Sequence, residues 1–287
     1  MRFRMIAPSP IYIESREDAE KAIKHCMSST MLGVDTETLG LVKTTDGKKR
    51  TKMTDTVVVM GLSPDDTARY LVPAKNLRFF KELLENPLIP KALSNVKFDV
   101  HRLMNTSGIA LGGPWADTVV LDFLLDEDTR ENRHGLKDCC SDYLGIPMAE
   151  YKELFGSIDP RAFRPGHELW EKYLDYSSLD PWATRKLAIH LLGELKEEKV
   201  WEDDKYTLCD LYWETEEPQL KCLYGIERRG FRVDKAELEG IRNTVTVKME
   251  SLARRVNELV GRPINPNSGD QIGAWLFDEM GFQHRGR

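Results

Sequence analysis

The sequence predicts an α/β fold in which helices pack on a mixed sheet, followed by a purely helical segment. Strand-like apolar runs dominate residues 31 to 73, strand and helix signals then alternate, and from about residue 168 onward the signals are helical. Short apolar runs bounded by turn residues are typical of strands, and apolar residues three and four apart are typical of helices. Strands that alternate with helices favour helices packed on a mixed sheet.

Three strands are predicted near the start of the chain, in the segments MLGV, TVVVMGL and ARYLVP. The segment KTTDGKKRTKMTD, rich in turn formers, is predicted to be a hairpin connection between the first two. A helix follows from about Lys75 to Glu85, and Pro87 and Pro90 end it because proline cannot continue a helix. A short strand, KALSN, then leads to a helix from about Val96 to Met104.

The middle of the chain is predicted to be mainly helical. The segment DTVVLDFLLD begins with Asp117, a favourable N-cap, and HGLKDCCSDYLG is closed by Gly145, a favourable residue after a helix. Residues 168 to 200 form a long helical pattern, which we expect Pro181 to interrupt.

A domain boundary is predicted near residues 204 to 212, so that residues 1–205 form one domain and residues 206–287 a helical one. In the second domain, Glu214 to Glu227 reads as a helix, Asp234 caps a longer one, and QIGAWLFDEMG forms a short amphipathic helix.

Composition indicates an ordinary globular protein inside the cell. Hydrophobic residues make up 41% and charged residues 31% of the chain. No apolar run approaches the roughly 20 residues of a membrane-spanning helix, and the start has no apolar signal core. The five cysteines, Cys26, Cys139, Cys140, Cys209 and Cys222, lack metal-site spacing. We expect reduced thiols that mostly fill the core.

Charge is distributed unevenly along the chain. The net charge is −6, but the residues from Pro218 onward carry 12 Lys and Arg against 9 Asp and Glu. The acidic part could bind cations and the basic part could approach phosphates. The charge distribution by itself is equally consistent with acidic and basic surfaces that are simply solvated.

Two carboxylates follow the first predicted strand. Asp35 and Glu37 lie two positions apart directly after MLGV, so an extended backbone would point both to the same side. Oxygen ligands of this kind suit Mg²⁺ or Mn²⁺. Equally spaced pairs such as Asp126 and Asp128 arise by chance in an acidic chain, so a purely structural explanation remains open. Burial of unpartnered charges at a strand end would be costly, which favours a functional one.

Two further places carry candidate site residues. Asn95 and Asp99 lie around the start of a predicted helix, where Asp99 could reach towards the first pair or could simply interact with the helix dipole. Tyr176 and Asp180 are four apart in a predicted helix and therefore share one face. An ordinary surface pair has the same spacing.

The segments GVDTET, SNVKFD and YSSLD together resemble the three motifs of the DEDD 3′-to-5′ exonucleases, in the variant with tyrosine in the third motif. The similarity is closest to the proofreading domain of bacterial and phage family A DNA polymerases. The segment RHGLKDCCSDYLG also resembles the family's stretch between the second and third motifs. The resemblance covers roughly residues 28 to 200 and implies a ribonuclease-H-like exonuclease domain.

The resemblance also implies a two-metal hydrolysis that uses Mg²⁺ or Mn²⁺. Asp35, Glu37 and Asp180 would bind one ion, and Asp35 with Asp99 would bind a second. Tyr176 and Glu37 would orient the attacking water. The products would be 5′-mononucleotides.

Several substrate contacts follow from the same resemblance, for a single-stranded or frayed 3′ end of DNA. Leu41 would wedge against the terminal bases, Phe98 would lie beside the substrate, and Asn95 would help to hold the frayed strand. Thr38 is a further substrate-binding candidate, and Arg133 is a candidate phosphate contact. Apolar and aromatic contacts suit an enzyme that does not read sequence.

Pro181 departs from the expected pattern because it directly follows Asp180. Proline disfavours a helical conformation in the residue before it and removes a backbone donor. We therefore expect either a bend in the helix or an altered position of Asp180. Pro181 also keeps open an inactivated exonuclease fold that only binds single-stranded ends.

A second resemblance begins after the first. The segments EEPQLKCLYGIERRGFRVDKAEL and INPNSGDQIGAWLFDEMGF resemble the start of the family A polymerase thumb. This favours DNA over the substrate of the main rival, an exoribonuclease of the ribonuclease D type. It also implies a fragment or short form that cannot polymerise by itself. The expected partners are the remaining polymerase domain or other replication proteins. We expect the protein to be a monomer. The favoured origin is a phage, in which case the enzyme would work in the host cytoplasm.

Overall fold

The computed structural model describes residues 7–39, 42–43, 49–50, 56–126, 133–201 and 205–283. Its strands are β1 (Pro10–Tyr12), β2 (Leu32–Thr38), β3 (Val42–Lys43), β4 (Lys49–Arg50), β5 (Val57–Ser63), β6 (Arg69–Pro73), β7 (Lys91–Leu93) and β8 (Trp115–Asp117). A six-stranded sheet has the order β1-β6-β5-β2-β7-β8, while β3 and β4 pair separately. Strand β5 is antiparallel to β2 and β6, and β7 is parallel to β2 and β8. The predicted mixed sheet is confirmed.

Helices cover most of the remaining described chain. The α-helices are α1 (Arg16–Cys26), α2 (Lys81–Glu85), α3 (Val96–Ser107), α4 (Thr118–Leu125), α5 (Leu136–Cys139), α6 (Tyr151–Phe155), α7 (Trp170–Glu197), α8 (Leu208–Leu211), α9 (Glu217–Arg229), α10 (Lys235–Val260) and α11 (Gly269–Gly273). Short 3₁₀ segments (Ala74–Phe80, Pro160–Ala162) and π segments (Cys140–Leu144, Tyr212–Glu216, Ala274–Glu279) adjoin or separate them. No helix in these described ranges is long and apolar enough to cross a membrane.

Strand β2 is longer than its sequence predicts. The acidic pair was expected after the strand, but β2 continues through Asp35 and Glu37 to Thr38. Its ladder with β5 runs from Gly33 opposite Ser63 to Thr38 opposite Val57. Cross-strand pairing therefore outweighs the low intrinsic preference of Asp and Glu for strands.

Several predicted helix ends are confirmed. The Asp117 side chain accepts a hydrogen bond from the Val119 amide at the start of α4, and Asp234 caps α10 in the same manner. Gly145 adopts the left-handed conformation after the π segment that continues α5. The helix predicted from Lys75 to Glu85 forms as a 3₁₀ turn followed by α2.

The predicted interruption at Pro181 is wrong, because α7 is one continuous helix through that residue. The proline ring faces Gly61 on β5, where an added Cβ would lie only 2.7 Å from the Pro181 Cγ. The Ser177 carbonyl, whose helical hydrogen bond the proline removes, faces the same glycine. The bare glycine backbone thus leaves room for a proline inside the helix.

Among the described residues, buried apolar side chains form three clusters. One contains Leu32 and Val34 of β2 and packs against α1 and α3. A second includes Ala92 of β7 and packs against α4 and α7. A third joins Val59 of β5 and Leu71 of β6 to the beginning of α7. The thiols of Cys26, Cys139, Cys140 and Cys209 are free and buried and that of Cys222 is free and exposed, which confirms the prediction for the cysteines.

By contact, the chain divides into a unit of residues 1–228 and a unit of residues 229–287. The first unit contains the sheet. In the second, the turn after α10 is held by the Asn257 side chain, which accepts a hydrogen bond from the Ile264 amide at 2.8 Å. The domain boundary predicted between residues 205 and 206 divides the chain by proposed function and not by contact. It stays a prediction.

Candidate active site

The site is built around the central strand β2. Gly33, Asp35 and Glu37 alternate along the strand, so their substituents share the face on which α7 packs. Strand β7 pairs with β2 at Leu32 and Gly33 and then leads into α3. Asp35 and Glu37 therefore project towards α7, near the point where the β7–α3 connection leaves the sheet.

Helix α7 approaches the sheet unusually closely. A Cβ on Gly33 would lie 2.0 Å from the Pro181 carbonyl oxygen, and one on Gly61 would lie 2.6 Å from the Ser177 carbonyl oxygen. Because real Cβ atoms cannot come this near, both positions require glycine. This approach brings Asp180, next to Pro181, over Asp35 of β2.

Three carboxylates meet as a result. Asp35, Glu37 and Asp180 each offer an oxygen, and these oxygens all lie within 4.8 Å of one another. Asp180 is only 7% exposed, and its Oδ1 atom is buried without a hydrogen-bond partner. We call these residues the carboxylate cluster.

Asp99 reaches the site from α3, on the other face of the sheet. It is 2% exposed, and its Oδ1 accepts a hydrogen bond from the Thr36 hydroxyl at 2.6 Å. Thr36 alternates with Asp35 and Glu37, so one short stretch of β2 supplies groups to both sides. Asp99 lines the same cavity as Asp35 and Asp180 but is not one of the three residues of the carboxylate cluster.

The turn before α3 is fixed by Asp117. Its carboxylate accepts hydrogen bonds from the amides of Asn95 and Val96, both at 2.9 Å. Asn95 adopts a left-handed conformation with φ of 64°, which asparagine tolerates better than most residues. This turn sets the direction of α3 and hence the position of Asp99.

Tyr176 lies one turn before Asp180 on α7 and contacts Lys137. The Lys137 ammonium donates a hydrogen bond to the Tyr176 hydroxyl at 3.2 Å and lies 4.9 Å from the ring centroid. Lys137 also lines the cavity that contains Asp35 and Asp180. The α5 segment thus adds a positive charge to an otherwise acidic site.

Two neighbouring cavities open at the site. The first, of about 360 Å³, is lined by Asp35, Thr36, Ser94, Asn95, Phe98, Asp99, Gly135, Leu136, Lys137, Asp138, Glu150 and Asp180. The second, of about 590 Å³, is lined by Thr36, Glu37, Thr38, Phe98, Glu150, Tyr151, Lys152, Gly156, Ser157, Ile158, Asp159 and Pro160. Thr36, Phe98 and Glu150 line both, so the cavities adjoin.

The predicted substrate residues fall in different places. Thr38 lines the second cavity, Asn95 lines the first, and Phe98 lines both. Arg133 is exposed and is not among the lining residues of either cavity. Leu41 lies outside the described residues. The roles of all five stay predictions.

Sequence reasoning missed several residues of the site. Lys137 and Tyr151 line it although neither was singled out as a functional residue. Lys137 belongs to the quoted segment RHGLKDCCSDYLG, which was the available signal for it. Thr36 was passed over because it lies between the two carboxylates and points to the opposite face of β2.

Burial and mutual repulsion make the carboxylates reluctant to ionise. Burial raises the pKa of Asp35 to about 6, partly offset by the charge of Lys137. Burial also raises the pKa of Glu37, Asp99 and Asp180 well above their ordinary values, and the negative charge of Asp35 adds to each shift. Burial, followed by the charges of Asp180 and Glu37, raises the pKa of Tyr176, so this phenol stays protonated.

The carboxylate cluster fits a divalent metal ion. Mg²⁺ and Mn²⁺ prefer carboxylate oxygens, and the cluster offers oxygens from three residues within 4.8 Å of one another. The unpartnered, buried Oδ1 of Asp180 is an acceptor that an ion would satisfy. Three close carboxylates with raised pKa values are the expected signature of a site that needs a cation.

The pH dependence of stability provides a test of this electrostatic arrangement. In the unfolded chain Asp35 releases its proton near pH 4, whereas in the folded protein it does so at about 6. Between these values the folded state binds more protons, so the free energy of unfolding should fall as pH rises. The raised pKa values of Glu37, Asp99 and Asp180 add to this fall in the free energy of unfolding.

Urea unfolding in EDTA across this pH range would measure the effect. Glu37→Gln should make the free energy of unfolding fall less as pH rises. Mn²⁺ should restore stability at neutral pH because it binds the folded state. A stability in EDTA that rises over this range in wild type, with the same slope in Glu37→Gln, would contradict the arrangement.

Comparisons with known proteins agree with the geometry. A family model described as 3′-5′ exonuclease matches residues 10–196. The DNA polymerase I of Synechocystis sp. is 33% identical over 207 residues, which are 71% of this chain and 19% of that protein. The chain thus corresponds to about one fifth of the length of this curated relative.

Solved structures with low sequence identity share the fold. The polymerase domain of Pol1 from M. smegmatis, in complex with DNA primer-template and dNTP, has a TM-score of 0.64 at 19% identity, covering 97% of this chain and 42% of that one. Escherichia coli RNase D, an exoribonuclease involved in structured RNA processing, has a TM-score of 0.56 at 17% identity, covering 79% of this chain and 52% of that one.

The family match extends over well over half of the chain and includes Asp35, Glu37, Asp99, Tyr176 and Asp180. Acidic side chains from three separate segments meet there beside a cavity. The chain therefore belongs to the family whose model is described as 3′-5′ exonuclease.

Proposed function

We propose that the protein removes nucleotides one at a time from the 3′ end of single-stranded or frayed DNA, as a proofreading exonuclease, and releases 5′-mononucleotides. The carboxylate cluster carries this proposal. Buried acidic oxygens within 4.8 Å of one another are costly without a cation and suit hydrolysis of a phosphodiester.

In this proposal the acidic residues divide the work. Asp35, Glu37 and Asp180 would hold one divalent ion, and Asp35 with Asp99 would hold a second. Such ions lower the pKa of bound water and stabilise negative charge on phosphate oxygens. Glu37 and the protonated Tyr176 orient the attacking water, and Thr36 fixes the Asp99 carboxylate through its hydroxyl.

The two adjoining cavities suit the end of a single strand. The terminal phosphodiester would lie in the first cavity beside Asp35, and the adjacent nucleotide would occupy the second. Phe98 lines both cavities, and the Arg102 guanidinium lies over its ring, 3.6 Å from the ring centroid. Tyr151 offers a second aromatic ring in the larger cavity. Stacking on rings does not depend on base identity, which suits an enzyme that removes any nucleotide.

We also propose that residues 206–287 form the beginning of a family A polymerase domain, in the thumb region. The fold likeness to the Pol1 polymerase domain covers 97% of this chain, well beyond the region of the exonuclease family match. Under this proposal, the remaining polymerase domain is the partner of the exonuclease domain.

A second candidate is an exoribonuclease of the ribonuclease D type. The fold likeness to E. coli RNase D favours it, and the carboxylates serve either sugar equally well. A contact to the 2′-hydroxyl would be needed to select RNA.

A time course on 5′-labelled single-stranded DNA with Mg²⁺ or Mn²⁺ tests the proposal. We expect a ladder of products shortened from the 3′ end that disappears in EDTA. An RNA oligonucleotide of the same sequence should be lost more slowly, and faster loss of RNA would favour the ribonuclease. Binding without cleavage in either ion would indicate an end-binding module instead.

A further inference from the structure

We infer that Lys137 is a positioning residue for Tyr176: it holds the phenol so that the hydroxyl hydrogen is directed away from the lysine and is available to the reacting water or phosphate. The inference deepens the proposed function and rests on it. Lys137 lies on α5, in a segment of the chain that contributes none of the acidic groups of the carboxylate cluster.

The contacts of Lys137 account for all three hydrogens of its ammonium group. It donates to the Ala149 carbonyl at 2.6 Å, to the Tyr176 hydroxyl at 3.2 Å and to the Glu150 carboxylate at 3.4 Å. Its side chain is only 18% exposed. The carbonyl and the carboxylate therefore anchor the ammonium while the third hydrogen is directed at the phenol.

The direction of the hydrogen bond follows from chemistry. An ammonium group has donors and no acceptor, so in this contact the Tyr176 oxygen must accept. The phenol hydrogen must then point elsewhere. Tyr176 stays protonated because burial and the nearby carboxylates raise its pKa, so it is a donor held in one orientation.

The ring of Tyr176 is fixed by its other neighbours as well. The ammonium of Lys137 lies 4.9 Å from the ring centroid, and the rings of Tyr151 and Phe155 approach edge-on with centroids 5.8 Å and 5.6 Å away. These packing contacts set the plane of the ring. Among the hydrogen bonds of the described residues, the one from Lys137 is the contact made to the Tyr176 hydroxyl oxygen.

Kinetics of Lys137→Met and Tyr176→Phe, singly and together, test the inference. We expect Lys137→Met to lower kcat on single-stranded DNA about tenfold, since a charge-assisted hydrogen bond is lost, with KM changed less than about twofold. In the Tyr176→Phe background the same substitution should have almost no further effect, because the hydroxyl it acts on is absent. Lys21→Met, at an exposed ion pair on α1, is the matched control.

A spectroscopic measurement makes the test independent of catalysis. With tyrosine labelled with ¹³C at Cζ, the Tyr176 signal is assigned by its loss in Tyr176→Phe. It should shift in Lys137→Met and stay in place in Lys21→Met. Lys137→Gln, which removes the charge but keeps an N–H donor, serves if the methionine variant does not fold.

The outcomes separate the inference from the proposed function. A full tenfold loss of kcat on adding Lys137→Met to Tyr176→Phe, or an unmoved Tyr176 signal, would overturn the positioning role. Failure of the wild-type protein to shorten any nucleic acid would instead refute the proposed function, while the Tyr176 signal would still decide whether Lys137 holds the phenol.

Discussion

Asp35→Asn should abolish nuclease activity and at the same time make the metal-free protein more stable. Asp35 belongs to the carboxylate cluster, and its negative charge helps to raise the pKa of Glu37, Asp99 and Asp180. Its removal takes away a ligand and also relieves repulsion among the other three. Loss of one electrostatic stabiliser costs about 10²- to 10³-fold in rate, and we expect an effect at the upper end because Asp35 would contact both ions.

Initial rates on single-stranded DNA in Mn²⁺ and urea unfolding in EDTA at neutral pH would measure the two effects. Asp278→Asn, an exposed position in the second unit, controls for the loss of a negative charge. Retained activity in Asp35→Asn would place the metal-binding group elsewhere. A lower stability in EDTA would mean that the Asp35 carboxylate is satisfied within the protein and does not await a cation.

Gly33→Ala should unfold the protein or destabilise it strongly. The added Cβ would lie 2.0 Å from the Pro181 carbonyl oxygen and 3.0 Å from the Arg185 Cβ, so α7 would have to move off the sheet. Overpacking of this kind costs about 1 to 3 kcal/mol, and the contact with the backbone of Pro181 places it at the upper end, because backbone cannot swing aside as a flexible side chain can. Any protein that still folds should lose activity, since displacement of α7 moves Asp180 away from Asp35.

Gly193→Ala is the matched control, since Gly193 lies on the same helix with nothing within 4 Å of an added Cβ. This change should be neutral or stabilise by up to about 1 kcal/mol, because alanine favours helices more than glycine does. Equal free energies of unfolding for Gly33→Ala and wild type would show that α7 does not depend on this close approach.

Much of the fold could be predicted from local patterns. The strands β5 and β6 and the helices α3, α4 and α10 lie close to their predicted bounds, because each has a clear apolar period and a defined end. The local patterns did not predict β1, α1 or β8. Strand β8 spans only Trp115–Asp117, and such a short strand is defined by its pairing with β7 more than by its own residues.

The candidate site was predictable residue by residue but not as an arrangement. Asp35, Glu37, Asp99, Tyr176 and Asp180 were recognised from short motifs, and their roles stay predictions until the variants are measured. Pro181 was misjudged because its effect on the helix depends on Gly61, which is distant in sequence and lies against the proline ring.

The sequence by itself determined the chemistry available to this protein: the acidic side chains, the tyrosine and the order of motifs that identifies the exonuclease family. Only the tertiary structure decided that Asp180 lies beside Asp35, that Gly33 and Gly61 admit a proline-containing helix, and that Lys137 faces Tyr176. The physical reason is that local patterns reflect the preferences of neighbouring residues. The close approach of α7 to β2 and β5 depends instead on steric fit between residues more than a hundred positions apart.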